Sequence, residues 1–423
     1  MEIKLKKNEA LKVIGPSKIE VVDGEIEIFG KKIYGDQSFL VKKGKALPIE
    51  AKKLSILQIN TESSENIKKI EGPTIPDDRR ELVKKILGLP KPCKILLIGD
   101  GDTGKTSLIT YLANKSFENG YKIAVLDLDV GQHDIGPPCT IGLGVLKESV
   151  LELKDVPIDS LFFIGNTSPA GHMIRCLAGI GRLLENASKA DVILIDTSGW
   201  IKGNAARSYK TSKIELIRPN LIVGIQRETE IEHLLNPFHK IIPIHRISVS
   251  IDVHPRTYND RRFLREVSFR DYFLNAQSRS FNCDEINFAY SLFKTGTLPD
   301  EETLKTIEET LDLKSKYCEI SKDGIFFVQD EEKFWKIDNL NLLKEKFNAH
   351  YIHIVQLGVE KGIIVGLVGT DVHYGIGIIE EIDYEENIIK VFTPIKENIK
   401  QIQFGSLKIS KSGVELEKIK HLF

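Results

Sequence analysis

The feature that most constrains this chain is a glycine-rich run between an apolar segment and a helix-compatible segment. It reads Gly99-Asp100-Gly101-Asp102-Thr103-Gly104-Lys105-Thr106 and matches G-x-x-x-x-G-K-[ST] at each fixed position. The apolar residues before it, 95–98, are typical of a buried parallel strand. Residues 107–119 after it are compatible with a helix that has an apolar face. This order of strand, loop and helix indicates a phosphate-binding loop and not a chance glycine-rich turn.

The residue types in the loop explain what it can bind. Glycines let consecutive backbone N–H groups surround a phosphate, and the N-terminus of the next helix adds a partial positive charge. Lys105 can reach the β- and γ-phosphates of a nucleotide, and the Thr106 hydroxyl can bind a bridging Mg²⁺. We therefore predict a nucleoside triphosphate site. Its predicted binding residues are Gly99, Asp100, Gly101, Asp102, Thr103, Gly104, Lys105, Thr106 and Ser107.

Length and composition limit the protein class. A chain of 423 residues is too long for one hydrophobic core, so we expect two or three domains. The net charge of −1 means that a nucleic acid would have to be bound by a local patch. No apolar run approaches the ~20 residues that span a bilayer, and no secretory signal is visible. Five scattered cysteines favour a reduced compartment, so we expect a cytoplasmic protein, or a nuclear one in a eukaryote, without zinc or membrane contact.

The order of apolar runs predicts an α/β protein with a central P-loop domain and β-rich flanks. Residues 1–73 show short alternating runs, which indicate a β-sandwich or barrel. Residues 74–278 begin with a short helix after Pro76 and then alternate strands with helices, which predicts a mostly parallel sheet. Residues 279–423 are β-rich again, with a helical insertion around 300–347. The finer predictions are strands at 123–126, 192–195, 221–225 and 241–244, a linker at 278–282, helices at 300–316 and 333–347, and β structure from Tyr351 to Leu422.

Carboxylates follow two of the predicted parallel strands. Asp127 and Asp129 end one strand and share a face by alternation, and Asp196 ends another. The carboxyl ends of parallel strands form the edge at which α/β folds bind ligands. One carboxylate can lie near magnesium and one near an attacking hydroxyl, or the acids can cap the turns that follow them.

Two further segments allow more than one interpretation. Trp200 follows Gly199 in a turn, where it can stack on a nucleic-acid base or pack into the core. Residues 254–270 concentrate positive charge, with arginines at 256, 261, 262, 265 and 270 against two acids. Charge alone favours a solvated helix with ion pairs, and the alternative is a mobile lid whose arginines close over a transferring phosphate.

With these motifs in the same order, the chain resembles the polynucleotide 5′-hydroxyl kinases, which include the kinase subunit of the mRNA 3′-end cleavage factor and the pre-rRNA-processing kinase. Gly24-Glu25-Ile26-Glu27-Ile28-Phe29-Gly30 is similar to the N-terminal G-x-A-E-I-F-G segment of that family. Leu128-Asp129-Val130-Gly131-Gln132 resembles its Walker B variant, and Thr197-Ser198-Gly199-Trp200 its T-x-G-W clasp. The segment from Arg261-Arg262 through Arg265 to Phe273 resembles its lid.

The resemblance implies three domains and transfer of the ATP γ-phosphate to the 5′-hydroxyl of RNA or DNA with Mg²⁺. Whether GTP replaces ATP stays open, and RNA-processing protein partners are expected. The implied catalytic residues are Lys105, Asp129, Arg262 and Arg265, with Asp129 as the general base. The implied magnesium-binding residues are Thr106, Asp127 and Asp196. The implied polynucleotide-binding residues are Gln132, Thr197, Gly199 and Trp200.

The chain departs from the family pattern at two places, and two alternative functions stay open. Asp196 stands where relatives often carry Asn, and the segment around 300–350 matches nothing in the family pattern. The alternatives are a P-loop switch ATPase and a catalytically silent ATP-binding scaffold. Intact Lys105, Thr106 and Asp129 favour the enzyme over the scaffold, and the missing N-K-x-D signature argues against a GTP switch.

Overall fold

The computed structural model describes residues 1–250, 256–330, 333 and 336–419. They form two compact units, and each is described by itself. The first comprises residues 1–136, 141–162 and 168–264, and the second comprises 137–140, 163–167 and 265–423. Parts of three predicted segments, namely 254–255, 334–335 and 420–422, lie outside the described residues. The three-domain division at residues 73 and 278 stays a prediction.

The N-terminal region is a pair of antiparallel sheets around one apolar core. In β3 the side chains alternate, with Ile19 and Val21 buried and Glu20 exposed, as expected for a strand with one face on the core. The sheets have the orders β1-β8-β3-β6 and β5-β4-β7-β2-β9, and both contribute to the same buried cluster. Of the two predicted alternatives, a β-sandwich or a barrel, the two separate sheets correspond to the sandwich. The strands are β1 (Glu2–Leu5), β2 (Ala10–Ile14), β3 (Ser17–Asp23), β4 (Glu25–Ile28), β5 (Lys31–Tyr34), β6 (Gln37–Val41), β7 (Ala46–Ala51), β8 (Ser55–Thr61) and β9 (Ile67–Ile70).

The central region is built on a seven-stranded sheet with the order β13-β12-β11-β14-β10-β15-β16. Five neighbouring strands are parallel, from β11 to β16, and β11 and β14 are buried along their whole length. Continuous burial is what helices on both faces of a parallel sheet require. The elements are α1 (Asp77–Leu87), β10 (Cys93–Gly99), α2 (Lys105–Glu118), β11 (Ile123–Leu128), β12 (Thr140–Val145), β13 (Ile158–Phe163), α3 (Met173–Asn186), β14 (Val192–Thr197), α4 (Asn204–Ile217), β15 (Leu221–Gln226), α5 (Glu232–Leu235), β16 (Ile244–Ser248) and α6 (Tyr258–Phe273).

Sheet order decides which loops meet. Because β14 lies between β10 and β11, and all three are parallel, their carboxyl ends share one edge. The phosphate loop follows β10, Asp129 follows β11, and residues 198–200 follow β14. The predicted α/β class with a mostly parallel central sheet is confirmed.

The C-terminal region combines a six-stranded sheet, β17-β24-β23-β22-β25-β18, with β26 paired to β25 and a separate sheet, β19-β20-β21. The smaller sheet and two helices enclose their own apolar cluster. The elements are β17 (Gln277–Asn282), β18 (Asn287–Ala289), α7 (Glu301–Leu311), β19 (Ser315–Ile320), β20 (Gly324–Gln329), α8 (Ile337–Phe347), β21 (Tyr351–Gln356), β22 (Ile363–Val368), β23 (His373–Asp383), β24 (Ile388–Thr393), β25 (Gln401–Ile409) and β26 (Glu415–Lys418).

Three local predictions were wrong. The proposed linker at 278–282 is strand β17, which pairs with β24 more than 100 residues later, a partner that local composition does not reveal. The strand expected at 241–244 begins only at Ile244, because Pro243 lacks an N–H and Ile241 is 75% exposed. The helix expected at 300–316 ends at Leu311, since Asp312 adopts a φ of 55°.

Candidate active site

The phosphate loop, residues 99–107, joins β10 to α2 and forms the centre of the site. Gly104 has a φ of 83° and precedes the first residue of α2, a conformation that favours glycine. A side chain at Gly99 would place a Cβ 2.7 Å from Thr103 Oγ1 and 2.8 Å from the Ile225 carbonyl. The glycines are therefore required by backbone geometry at both ends of the loop. Ser107 is exposed in the first turn of α2.

Lys105 is buried within the loop that it serves. Its Nζ donates to the carbonyl oxygen of Asp100 at 2.6 Å and to that of Gly99 at 3.1 Å. Burial lowers the pKa of Lys105, and the charges of the nearby Asp196 and Asp129 carboxylates oppose that shift. The loop thus holds its cationic group close to the peptide groups that would surround a phosphate.

Asp196 connects the loop to the end of β14. Its Oδ2 accepts a hydrogen bond from Thr106 Oγ1 at 2.8 Å, and its Oδ1 accepts the N–H of Thr197 at 2.8 Å. Burial, followed by the charge of Asp127, raises the pKa of Asp196 to about 7. The hydroxyl of Thr106 and the Asp196 carboxylate supply the oxygen ligands that Mg²⁺ prefers, so the residues fit that ion.

Asp127 lies beside Asp196 in the sheet register and is almost fully buried. Its carboxylate accepts the N–H groups of Asp129, Asp134 and Ile135, at 3.1, 2.6 and 3.2 Å. His133 Nδ1 lies 3.1 Å from its Oδ2.

Although burial favours the neutral acid, the charge of His133 and these N–H donors hold the pKa of Asp127 below its usual range. This carboxylate fixes the loop that follows β11. Its assignment to magnesium stays a prediction, and Asp196 is the better placed of the two.

Asp129 lies one residue beyond β11 and is partly exposed. Its Oδ1 accepts the N–H groups of Gly131 at 3.0 Å and Gln132 at 3.2 Å, which orients the carboxylate. The Gln132 side chain donates to the carbonyl oxygen of Arg261 at 3.2 Å. The strand-end loop and the start of α6 are therefore joined by a direct contact.

The clasp turn, residues 197–200, follows β14 and touches the phosphate loop. A Cβ on Gly199 would lie 2.4 Å from the backbone nitrogen of Gly101, so only glycine allows this approach. The ring of the half-buried Trp200 lies 6.1 Å from that of Tyr209 on α4, measured between centroids. Thr197 Oγ1 donates to the carbonyl oxygen of Leu97, on β10, at 2.8 Å.

The arginines of α6 have different partners. Arg261 Nη2 lies 2.6 Å from Asp102 Oδ2, within the phosphate loop, and 3.0 Å from where a Cβ on Gly101 would be. Arg265 instead forms a two-point pair with Glu415, with Nε 2.5 Å and Nη2 3.2 Å from its carboxylate oxygens. Arg262 is partly exposed, and its catalytic assignment and that of Arg265 stay predictions.

Sequence reasoning missed three residues that the structure brings to the site. Arg261 was noted in the charge concentration and in the lid-like segment but was not assigned a catalytic role, and no local signal separates it from Arg262. His133 was not singled out, although it lies six residues after Asp127 in a loop that must fold back on the strand end. Lys210 gave no signal at all, because a lysine on a helix is ordinarily exposed. In the structure it is 1% exposed and bonded to the clasp turn.

Across the described part of the chain, no helix has both the length and the apolar character needed to cross a membrane. The described cysteines, all five of the chain, are free and buried.

The chain is similar to known proteins over most of its length. Residues 99–275 match the family described as mRNA cleavage and polyadenylation factor CLP1 P-loop. A polyribonucleotide 5′-hydroxyl-kinase of Pyrococcus abyssi is 34% identical over 351 residues, which cover 81% of this chain and 95% of that protein. The enzyme with the same description from Methanocaldococcus jannaschii is 30% identical over 349 residues, with 81% and 94% covered.

A solved structure gives the same fold. The wild-type complex of Clp1p with Pcf11p matches with a TM-score of 0.67 and 14% identity over 96% of this chain and 97% of the other. At that identity the match shows fold alone. The identity to the archaeal enzymes confirms the resemblance seen in the motifs: the chain belongs to the polyribonucleotide 5′-hydroxyl-kinase family.

Proposed function

We propose that this protein transfers the γ-phosphate of ATP to the 5′-hydroxyl end of an RNA strand. The observation that carries the proposal is the contact of Gly199 with Gly101, which places a potential polynucleotide clasp directly on the phosphate loop. Asp129 lies after the strand adjacent to the one that ends in the clasp. A phosphate donor site and a carboxylate at one sheet edge are parts that phosphoryl transfer requires, and an aromatic side chain at the same edge can stack on a base of the acceptor strand.

Residues 99–107 are the proposed ATP site. The loop amides and the N-terminus of α2 favour the phosphate chain, and Lys105 provides a positive charge that is already desolvated. Thr106 and Asp196 would hold Mg²⁺, with Asp127 behind them, and the ion would neutralise charge on the β- and γ-phosphates.

Asp129 is the proposed general base. The oxygen of the 5′-hydroxyl attacks the γ-phosphorus and its proton passes to the Asp129 carboxylate, while the bond from the γ-phosphorus to the β–γ bridging oxygen breaks and ADP leaves. The two N–H groups on Oδ1 keep the carboxylate oriented for this task. Gly199, Trp200 and Gln132 would hold the terminal nucleotide, and the buried Thr197, whose hydroxyl bonds to Leu97 and Lys210, would support the turn.

A positive charge beside the donor site completes the arrangement. Arg261 contacts the loop through Asp102. Among the arginines of α6, the geometry therefore favours Arg261 as the residue whose guanidinium would contact the transferring phosphate. The cytoplasmic location, a role for RNA-processing partners and the use of DNA or GTP stay predictions.

The test is transfer of label from γ-labelled ATP to a 5′-hydroxyl oligoribonucleotide, with a 5′-phosphorylated oligonucleotide as control. We expect labelled RNA, and a loss of about 10²–10⁴-fold in kcat for Asp129→Asn with ATP affinity retained. Phosphate release without labelled RNA would indicate a switch ATPase. ATP binding with neither product would indicate a scaffold, and either result overturns the proposal.

A further inference from the structure

The clasp turn is held in place by a buried lysine of the following helix. Lys210, on α4, is 1% exposed. Its Nζ donates to the carbonyl oxygen of Ser198 at 2.6 Å and to Thr197 Oγ1 at 2.9 Å. Since Thr197 Oγ1 itself donates to the Leu97 carbonyl, one chain of hydrogen bonds runs from β10 through the turn to α4.

Lys210 bonds to the part of the clasp turn that lies next to its closest approach to the phosphate loop. Gly199 is the next residue after Ser198, and its Cα lies against the backbone of Gly101. Trp200 follows and packs near Tyr209, the neighbour of Lys210 on α4. A small displacement of the Ser198 carbonyl would therefore move the Trp200 ring relative to the phosphate loop.

Burying a lysine is costly unless its donors are used. Burial, and then the charges of Lys213 and Lys105, drive the pKa of Lys210 well below its usual range, and Asp129 and Asp196 act against this. A methionine could fill the same space without that cost. A neutral amine still has two N–H donors, as many as the acceptors that the clasp turn offers to Lys210. The position thus has the properties expected when hydrogen bonds, and not packing alone, determine the residue.

We propose that Lys210 is a positioning residue for polynucleotide binding: its two hydrogen bonds set the position of the clasp turn that carries Trp200. The kinetic part of this inference rests on the proposed kinase function. Lys210 acts through the clasp turn and is not assigned a contact with either substrate.

The same helix offers a matched control. Lys213 lies one turn further along α4 and is also 1% exposed. Its Nζ lies 4.2 Å from the Tyr209 ring centroid and has no hydrogen-bond partner among the described residues. Lys213→Met replaces a buried lysine of the same helix by methionine without removing a hydrogen bond to the turn, so it reproduces the packing change of Lys210→Met.

The kinetic experiment compares both variants with the wild type, each with all 423 residues of this chain. Lys210→Met should raise KM for a 5′-hydroxyl oligoribonucleotide by about tenfold or more, because two bonds to the turn are lost. KM for ATP should change by less than about twofold, and kcat by less than KM for RNA, since the phosphate loop keeps its own bonds. Lys213→Met should leave both constants near the wild-type values.

A second readout does not depend on catalysis. With Trp335→Phe in every variant, Trp200 is the one remaining tryptophan, and its fluorescence reports the position of the clasp. Acrylamide quenching should increase in Lys210→Met and stay unchanged in Lys213→Met. If the wild type transfers no phosphate, the proposed function fails, while the quenching still decides the role of Lys210.

The variant Thr197→Val provides a second test of the proposal if Lys210→Met does not fold. It removes one acceptor of Lys210 and should raise KM for RNA in the same direction, and the two changes together should be less than additive. Equal effects of Lys210→Met and Lys213→Met on KM for RNA, unchanged quenching in Lys210→Met, or full additivity with Thr197→Val would each overturn the proposal.

Discussion

The phosphate loop and the clasp turn lie against each other, yet they are stabilised in different ways. The backbone of the loop is bonded in large part to side chains of the loop itself, and outside residues bond mainly to the side chains of Asp102 and Thr106. Asp100 Oδ1 accepts the N–H of Gly101 at 2.7 Å, Thr103 Oγ1 donates to the Asp100 carbonyl at 3.0 Å, and Lys105 bonds within the same segment. Gly104 at a φ of 83° completes a conformation that is specified locally.

The clasp turn depends on residues from elsewhere in the chain. Thr197 bonds to Leu97, 100 residues earlier, and Lys210 reaches back 12 and 13 residues to Ser198 and Thr197. Its contact with the loop requires a glycine at 199. A short motif identifies each region in the sequence, but only the first has a conformation set mainly by its own residues, whereas the conformation of the second depends on distant partners. Asp196 contacts both regions and links them.

Among the changes that test this comparison, the largest expected effect concerns the partner of the loop on α6. Arg261→Ala should lower kcat for RNA phosphorylation by about 10³-fold, since an arginine that meets charge on a transferring phosphate contributes at least that much. Affinity for ATP in the ground state should change far less. The measurement is single-turnover transfer in Arg261→Ala, Arg262→Ala and Arg265→Ala. A large loss in either of the last two, with Arg261→Ala near normal, would restore the assignment made from the sequence.

A smaller loss of activity is expected when a substitution separates the clasp turn from the phosphate loop. In Gly199→Ala the added Cβ would lie 2.4 Å from the Gly101 nitrogen, so the turn and the loop must separate. Misplacement near 1 Å can lower a rate by about 10²-fold, and we expect such a fall in kcat/KM for both ATP and RNA. Gly181→Ala, in α3 with open space around it, is the control and should leave the kinetics unchanged. Normal kinetics in Gly199→Ala would show that the contact is dispensable.

Removing the aromatic side chain should affect only one substrate. Base–aromatic stacking contributes about 1–3 kcal/mol, so Trp200→Ala should raise KM for RNA by roughly ten- to a hundredfold. KM for ATP should stay the same, because the loop is stabilised by its own bonds. Steady-state kinetics with each substrate varied in turn provides the measurement. An equal rise in KM for ATP would mean that the turn helps to shape the nucleotide site and that the contrast between the two regions is wrong.

The smallest expected effect is a change in thermal stability when the buried Lys213 of α4 is replaced. Burial lowers the pKa of Lys213 from 10.5 to about 8, against the opposing influence of nearby acidic groups. A lysine whose pKa is lower in the folded protein costs stability below the folded value, and that cost disappears as the pH rises toward the unfolded value. Lys213→Met should therefore raise Tm by about 2–4 °C at pH 7, and the gain should shrink between pH 8 and 10.5. Thermal unfolding across that range measures it, and a gain that grows with pH would contradict the assignment.

The elements that could be predicted are those with strong local signals. The strand before the loop, helix α2 and the strand ends at Asp127 and Asp196 follow from apolar runs and glycine spacing. Strand β17 was missed because its polar sequence becomes a strand only through pairing with β24. Within α6, charge counting could not choose between Arg261 and Arg262, because only the packing of the helix decides which guanidinium reaches Asp102.

By itself, the sequence determined the nucleotide loop, the α/β class and the family, because glycine spacing, apolar periodicity and ordered motifs are properties of short segments. The tertiary structure alone decided that Asp127 is enclosed by N–H donors, that Arg265 pairs with Glu415, and that Lys210 is buried beneath the clasp turn. The Arg265–Glu415 pair joins residues far apart in the chain, and the other two contacts depend on how a loop or a helix packs against the end of a strand, which local sequence patterns do not show. A side chain's role depends on which partners burial brings to it, and sheet order and helix packing set those partners.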